Sequence, residues 1–181
     1  MEHAHKPELA VPVSANDHAQ GPAHAPVTIV EYGDFECPSC KLAAPAVTML
    51  LERFPERVRF VYRHFPIETA HPHALVAAEV SEIAAAQGRF WPMHAALFEH
   101  QPHFAPKQLH RYAEDLGLDM ARYEAELDDH IYLQRVREHE QGGRASGVRA
   151  SPGFFVNGRV QDVSFGLQHL HDAVAALLAR V

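Results

Sequence analysis

The sequence predicts an α/β fold in which a long helical segment separates two sheet-forming parts of one chain. Strand patterns in residues 25–35 and 57–65 flank a helix pattern, which gives a β-α-β unit. From 71 to 140, apolar residues recur at the three- and four-residue steps typical of helices. A hairpin signal and an amphipathic helix then close the chain, so the expected order is β-α-β, a helical block and β-β-α.

These patterns divide the chain of 181 residues into four parts. Residues 1–26 are rich in His, Pro and Ala and lack periodicity, so we expect an extended and partly disordered N-terminal arm. Residues 27–66 and 146–181 are expected to form one sheet-containing domain. Residues 67–145 are expected to form a helical subdomain inserted into it.

Glycine and proline residues mark where the elements of the first β-α-β unit begin and end. The strand "APVTIVEYGDF" ends at Gly33, and the helix over 38–54 begins with Pro38, which misses no backbone hydrogen bond at the first helical position. Pro45 lies inside this helix and should kink it. A second strand follows at 57–65, and two strands joined by a helix are expected to be parallel, with a right-handed crossover.

The later elements carry equally local signals. "HPHALVAAEVSEIAAAQG" is a helix pattern with Gly88 as its expected C-cap, and four further amphipathic segments predict a block of four or five helices. "GGRASG" is predicted to be a hinge after this block. In "GFFVNGRVQDV", Asn157 and Gly158 form the dipeptide favoured in tight type I′ turns, which predicts a hairpin.

Composition narrows the classes of partner. The net charge is −7, which gives no reason to expect nucleic acid or an anionic membrane as a partner. There is no run of about 18 apolar residues, so no membrane insertion is expected. The first residues show no signal-peptide pattern, so we expect a cytoplasmic location. A mis-annotated start would instead allow a periplasmic or extracytoplasmic one.

The chain has two cysteines, Cys37 and Cys40, which frame the dipeptide Pro38-Ser39. In a reducing compartment, such a pair is more often catalytic or metal-binding than structural. Cys37 is the expected N-cap of the helix, where free amides and the helix dipole stabilise a thiolate. Its pKa should therefore lie below that of a free thiol, and Cys40, one turn deeper, can attack a mixed disulfide formed at Cys37.

Other polar groups near the pair should have opposing effects on the pKa of Cys37. The hydroxyl of Ser39 is placed to support the Cys37 thiolate, whereas Asp34 and Glu36 should raise the thiol pKa. Glu31 shares one strand face with apolar residues, where a carboxylate is costly without a partner or a role. Burial should raise its pKa and make it a proton acceptor for Cys40; the alternative is a strand-end carboxylate that reaches solvent or an arginine.

Together these segments resemble the thioredoxin superfamily, and in particular its DsbA-like branch. "VTIVEYGDFECPSC" is similar to that branch's strand and redox motif, and Glu31 occupies its buried carboxylate position. Pro45 matches the kinking proline of the active-site helix. "SGVRASPGFFVNG" is similar to the segment that places a cis-proline, here Pro152, beside the cysteines. The helical block corresponds to the insertion of this branch.

The resemblance implies a thioredoxin-like fold and thiol–disulfide exchange with protein thiols and disulfides, without a bound cofactor. Ser151 and Pro152, with Pro38 and Ser39, are then expected to contact the substrate. A recycling partner of thioredoxin or glutathione type is also implied. The Pro-Ser dipeptide differs from the Pro-His of DsbA and the Gly-Pro of thioredoxin, which leaves the direction open among oxidase, reductase and isomerase.

Two alternatives belong to other classes of function. Cys37 and Cys40 with two histidines would make a zinc site, although no second cysteine pair or finger-like histidine spacing accompanies them. His71 and His73 lie close to a helix start but need not face one way. A non-catalytic binding module of the same fold is the other alternative, and the intact cysteine pair argues against it.

Overall fold

The computed structural model describes residues 8–180. Its five strands are β1 (His18–Gln20), β2 (Val27–Gly33), β3 (Val58–His64), β4 (Gly153–Val156) and β5 (Arg159–Gln161). Its seven helices are α1 (Pro38–Arg53), α2 (Ala74–Ala86), α3 (Phe90–His100), α4 (Pro106–Asp115), α5 (Met120–Asp128), α6 (Leu133–Ala145) and α7 (Gln168–Leu178). The order of elements from β2 onward is the predicted one.

The strands form one mixed sheet in the order β1-β3-β2-β4-β5. β2 and β3 are parallel, which confirms the predicted β-α-β unit, and the other neighbours are antiparallel. The turn between β4 and β5 has positive φ at Asn157 (46°) and Gly158 (80°), as a type I′ turn requires. The central strand β2 thus lies between β3 and β4, and its carboxyl end leads into the cysteine motif.

Alternate residues of β2 face two separate apolar layers. Val27 and Ile29 belong to the larger core, which includes residues of α1, α7 and the helical block. Val30 and Tyr32 belong to a smaller core with Phe65 and Phe155 on the opposite face. Both faces of the sheet are therefore covered by apolar side chains.

Helices α2 to α6 form the predicted helical block. α2 is buried over nearly its whole length, so it is the central helix that the others contact. Gly88 has φ +73° two residues after α2, in agreement with its expected role at the C-terminus of that helix. Among residues 8–180, no helix combines the length and the apolar character needed to cross a bilayer.

The described part of the predicted N-terminal arm is packed against the domain, which differs from the expectation for residues 1–26. Its strand β1 pairs with β3, and the buried Arg63 explains the packing. The guanidinium of Arg63 donates to both carboxylate oxygens of Asp17 at 2.8 and 2.9 Å and to two backbone carbonyls of the segment. A buried cation needs such partners, and local sequence patterns do not reveal them. Residues 1–7 lie outside the described range.

The predicted hinge "GGRASG" also differs, because α6 runs through its glycines to Ala145. Gly143 packs so closely on the smaller core that a Cβ there would lie 2.7 Å from Phe65 Cδ2. Gly142 similarly faces Val11, with 3.1 Å to its Cγ2. These glycines therefore serve close helix–sheet packing rather than a bend in the chain.

Candidate active site

The cysteine motif lies where β2 passes into α1. Cys37 is the N-cap of α1 with an extended backbone (φ −77°, ψ 120°), and Pro38 occupies the first turn. The Cys37 carbonyl accepts the first helical hydrogen bonds, from the Cys40 amide at 3.1 Å and the Lys41 amide at 3.2 Å. Cys37 therefore stands at the free-amide end of a 16-residue helix, as its position in the sequence indicates.

No disulfide joins the two cysteines, and their surroundings shift the two thiol pKa values in opposite directions. The Cys40 thiol donates a hydrogen bond to Cys37 and is the main reason why the pKa of Cys37 falls to about 5. The backbone amides of Cys40 and Ser39 contribute further, against the effect of partial burial. Ser39 thus acts through its backbone rather than through the hydroxyl that the sequence indicated.

Cys40 has the opposite character. Its side chain is fully buried in the larger core, and burial raises the pKa of its thiol well above the usual value. The hydrogen bond to Cys37 and the negative charge of Glu31 act in the same direction. The pair is therefore asymmetric: one sulfur is a thiolate at neutral pH and the other is a protonated thiol behind it.

Glu31 lies behind this pair on β2, opposite Tyr62 of β3 and Phe154 of β4. Only 2% of its surface is exposed, and burial, followed by repulsion from Cys37, raises its pKa to about 8. Its Oε1 atom has no hydrogen-bond partner among the described residues, and neither has the buried Tyr62 hydroxyl. Glu31 is thus the predicted buried carboxyl, and among the described residues it forms no ion pair with an arginine.

The segment before β4 faces the cysteines. The Ser151–Pro152 peptide bond is cis, and the Ser151 carbonyl oxygen lies 3.5 Å from Cys37 Sγ. Both residues are half-buried, whereas Pro38 and Ser39 are exposed on the other side of Cys37. The structure therefore brings these four residues, predicted to contact the substrate, around one sulfur.

The two acidic residues of the loop are held by histidines, which sequence reasoning missed. Asp34 accepts hydrogen bonds from the amides of Glu36 and Ile67, and one of its oxygens lies 2.7 Å from His71 Nδ1. Glu36 accepts from the amide of His73 at 2.6 Å and contacts its Nδ1 at 3.1 Å. The carboxylates expected to oppose the thiolate are thus engaged by the start of the helical block, and the pKa of Cys37 is lowered in their presence.

Gln101, just after α3, was also missed. Its side-chain amide donates to the Phe35 carbonyl at 2.7 Å and to the Cys37 carbonyl at 3.0 Å. One side chain of the helical subdomain thereby ties both ends of the segment that leads into Cys37. The Gln-Pro dipeptide after a helix was a signal of a turn, but nothing in the sequence indicated which loop it would meet.

The histidines that a zinc site would need do not gather at the cysteines. Within residues 8–180, the one cluster with metal-ligand spacing contains His18, His64 and Glu82, and neither cysteine belongs to it. His71 and His73 contact the loop carboxylates instead. This geometry favours exchange chemistry over metal binding at Cys37 and Cys40.

Comparisons with solved structures agree with this architecture. BdbD from Bacillus subtilis superposes with a TM-score of 0.83 at 22% identity, covering 96% of this chain and 97% of that one. Alpha-DsbA1 from Wolbachia pipientis gives 0.81 at 19%, with 95% of each chain covered. A thioredoxin-like oxidoreductase from Silicibacter pomeroyi gives 0.76 at 26%, covering 90% of this chain and 92% of that one. The likeness to BdbD and alpha-DsbA1 concerns the fold alone.

Curated relatives are longer proteins. A protein named Na⁺/H⁺ antiporter NhaA 1 from Salinispora arenicola is 46% identical over 173 residues, which are 95% of this chain and 26% of that protein. NhaA 3 from Salinispora tropica is 44% identical over the same shares. The chain thus spans about a quarter of the length of these relatives. The family described as thioredoxin matches residues 14–176. The chain therefore belongs to the thioredoxin family, and its fold is that of the DsbA-like thiol–disulfide oxidoreductases.

Proposed function

We propose that this chain exchanges disulfides with protein substrates through Cys37 and Cys40. The observation that carries the proposal is the asymmetry of the pair. The pKa of Cys37 is lowered to about 5, whereas burial raises that of Cys40. Thiolate is the form that attacks a disulfide, and a sulfur of low pKa is also the better leaving group. A binding module without redox chemistry would have no use for this difference.

In the reducing direction, the Cys37 thiolate attacks a substrate disulfide, and the outer substrate sulfur leaves as a thiolate. Cys40 then loses its proton and attacks Cys37 Sγ in the mixed disulfide. The Cys37–Cys40 disulfide forms, the second substrate sulfur leaves, and two electrons have passed to the substrate. The oxidising direction is the reverse: a substrate thiolate attacks Cys37, and Cys40 leaves first.

In this proposal Glu31 accepts the proton of Cys40 in one direction of the reaction and returns it in the other. A pKa of about 8 lies close to neutral pH, where a carboxyl can both accept and donate a proton efficiently. It accepts the proton when Cys40 becomes the nucleophile and returns it when Cys40 is the leaving group. Because Oε1 has no hydrogen-bond partner among the described residues, nothing there competes for this proton.

The substrate is proposed to bind as an extended peptide beside Ser151 and Pro152. This segment precedes β4 and presents its backbone next to Cys37, so a peptide can pair with it as an added strand. Pro38 and Ser39 are exposed at the other side of the sulfur and would contact the same peptide. Recognition through the backbone predicts low sequence selectivity.

Trapping tests the proposal directly. In Cys40→Ala the mixed disulfide cannot be resolved, so partner proteins should remain attached to Cys37 and be released by dithiothreitol. Cys37→Ala is the matched control and should trap nothing. Iodoacetamide at pH 6 should label Cys37 of the reduced wild type far faster than Cys40. Equal slow labelling, together with no trapped partner, would leave only a binding role.

The recycling partner is proposed to be of thioredoxin or glutathione type, and the cytoplasm remains the predicted compartment, to be tested by fractionation.

The relatives favour a further partner class. Because 95% of this chain aligns with a quarter of proteins named as Na⁺/H⁺ antiporters, a membrane protein of that kind is a proposed exchange partner. Mass spectrometry of the species trapped by Cys40→Ala in membranes tests this. Antiporter peptides would support it, and soluble proteins alone would contradict it.

A further inference from the structure

A second group of reactive side chains lies away from the cysteines, where β1, β3 and α2 meet. His18 Nε2 and His64 Nε2 lie 2.8 and 2.6 Å from the same oxygen, Glu82 Oε1. The side chains of His64 and Glu82 are 1% and 3% exposed, and that of His18 is 14% exposed. Two imidazole nitrogens and one carboxylate oxygen thus converge on one point, all within 4.8 Å of one another.

The surroundings hold these three groups in place. The second carboxylate oxygen, Glu82 Oε2, lies 2.8 Å from Arg135 Nε of α6, which leaves Oε1 directed at the histidines. The ring of His18 stacks on Phe90 with 3.6 Å between centroids, and the ring of His64 stacks on His139 at 5.3 Å. The contact with Arg135 orients the carboxylate, as outer contacts orient metal ligands, whereas the other ring nitrogen of His64, Nδ1, has no hydrogen-bond partner among the described residues.

We propose that His18, His64 and Glu82 bind a divalent transition-metal ion, with Zn²⁺ as the best match to two imidazoles and a carboxylate. The bonds to zinc are about 2.0–2.2 Å, so tetrahedral ligand atoms lie roughly 3.3 Å apart. The present separations from Glu82 Oε1 are hydrogen bonds of 2.8 and 2.6 Å, so these two contacts need to lengthen by about 0.5 and 0.7 Å. His18, on the three-residue edge strand β1, is the ligand most able to move.

The charges facing the site set its expected strength. Glu82 supplies the negative charge, and Arg135 already faces its other oxygen. Arg135 is 30% exposed and can turn towards solvent. A bound ion would tie the N-terminal segment, the sheet and the helical subdomain together through one centre.

Titration with Zn²⁺ alone, followed by calorimetry and thermal unfolding, tests the site. The protein is used in its oxidised form, so that the cysteine thiols cannot bind zinc, and with His3→Asn and His5→Asn, which remove the N-terminal histidines. We expect one zinc per chain and a higher unfolding temperature with the ion. His18→Gln and Glu82→Gln should each weaken binding at least tenfold and abolish the thermal shift.

His103→Gln is the matched control, because it removes an exposed histidine elsewhere, and it should leave zinc binding unchanged. His18→Gln retains the capacity to donate to Glu82, so it should fold even if Glu82→Gln does not. If oxidised wild-type protein binds no zinc stoichiometrically, or if His18→Gln binds it equally well, the three residues are a hydrogen-bonded cluster only. In either case the exchange activity of Cys37 and Cys40 is measured separately and is unaffected by the outcome.

Discussion

At the scale of single residues, the site depends on two cysteines with opposite protonation behaviour only three positions apart. The hydrogen bond from Cys40 and then the amides at the start of α1 favour the thiolate of Cys37, and burial in the core favours the thiol of Cys40. Their environments differ because one turn of helix separates Cys37, which is still 6% exposed, from the fully buried Cys40. The resulting difference in pKa separates the attacking sulfur from the resolving one.

Glu31 should make stability depend on pH in a direction unusual for a carboxyl. Its pKa is about 8 in the folded protein against a reference value of 4.5, so the folded state holds a proton that the unfolded state releases. The free energy of unfolding should therefore fall as pH rises from about 4.5 to 8, by a few kcal/mol. Glu31→Gln, which mimics the protonated form, should equal wild type at pH 4.5 and exceed it at pH 8.

Urea unfolding of the oxidised proteins at both pH values measures this effect without a contribution from cysteine thiolates. Glu56→Gln, which changes an exposed carboxylate, is the control and should follow wild type at both values. If wild type and Glu31→Gln kept the same difference at pH 4.5 and 8, the carboxyl would not be protonated in the folded state. The proton role assigned to it would then be wrong.

The residues found from the sequence are those with a local signature. Cys37 and Cys40 stand out by their spacing, and Glu31 stands out as a carboxylate on an apolar strand face. His71 and Gln101 have no such signature, because their role depends on contacts with residues 37 and 66 positions away. Their types alone fit a surface position equally well, so only the fold identifies them.

At the scale of elements, Gln101 connects the helical subdomain to the start of α1. Gln101→Ala should raise the pKa of Cys37, because the loop that holds its sulfur near Cys40 and Ser151 loses two hydrogen bonds. A hydrogen bond contributes about 1 kcal/mol, so the rise should be roughly half a unit to one unit. Thiolate absorbance near 240 nm, followed against pH in the reduced protein, measures it.

Gln87→Ala is a matched control for this change. Gln87 also lies after a helix, and its amide bonds the backbone of Asp119 through both its oxygen and its nitrogen, whereas Gln101 bonds the cysteine loop. Gln87→Ala should lower the free energy of unfolding about as much as Gln101→Ala does, and it should leave the pKa of Cys37 unchanged. Equal pKa values in wild type and Gln101→Ala would show that Gln101 only stabilises the fold.

The glycines of α6 predict a contrast between neighbouring positions. In Gly143→Ala the new Cβ would lie 2.7 Å from a Phe65 ring atom and 3.0 Å from Tyr32, both fully packed, so stability should fall by about 1–3 kcal/mol. In Gly142→Ala the nearest atom belongs to Val11, which is 46% exposed and can move. That variant should be neutral or gain up to about 1 kcal/mol from helix propensity. Urea unfolding compares them, and equal losses would contradict the close-packing role.

The elements themselves were predictable to the extent that their signals are local. The Asn157-Gly158 turn and Pro38 at the start of α1 mark their elements directly, and both were found. β1 was missed because it has three residues and exists through pairing with β3, which lies some 40 positions later. The glycine-rich pattern predicts a hinge, and the structure differs because the close approach of Gly143 to Phe65 is a tertiary contact that a sequence pattern does not contain.

At the scale of the whole molecule, the active site is a meeting point of three parts of the chain. The β2–α1 junction supplies both cysteines, the segment before β4 supplies Ser151, and the helical subdomain supplies Gln101 and the histidines that bind the loop carboxylates. The reactivity of Cys37 is consequently a property of the assembled fold. This explains why the Cys-Pro-Ser-Cys sequence left the direction of electron flow open.

The assembled fold does make a prediction about that direction. A lowered pKa at Cys37 stabilises the reduced form and makes the disulfide more oxidising. Its value of about 5 lies below the value of about 7 in thioredoxin and above about 3.5 in DsbA. The reduction potential at pH 7 should therefore fall between about −270 and −120 mV, near −220 mV, since about 30 mV corresponds to 1.4 kcal/mol.

Equilibration with glutathione buffers, followed by alkylation and mass spectrometry, measures this potential. The difference in reduction potential between this pair and thioredoxin should become smaller as pH falls towards 5, because the thiolate that stabilises the reduced form is then protonated. Gln101→Ala should shift the potential towards that of thioredoxin, whereas Gln87→Ala should not. A potential at or below about −270 mV would show that the pair is a reductant, and the thiolate stabilisation read from the site would then not govern its redox balance.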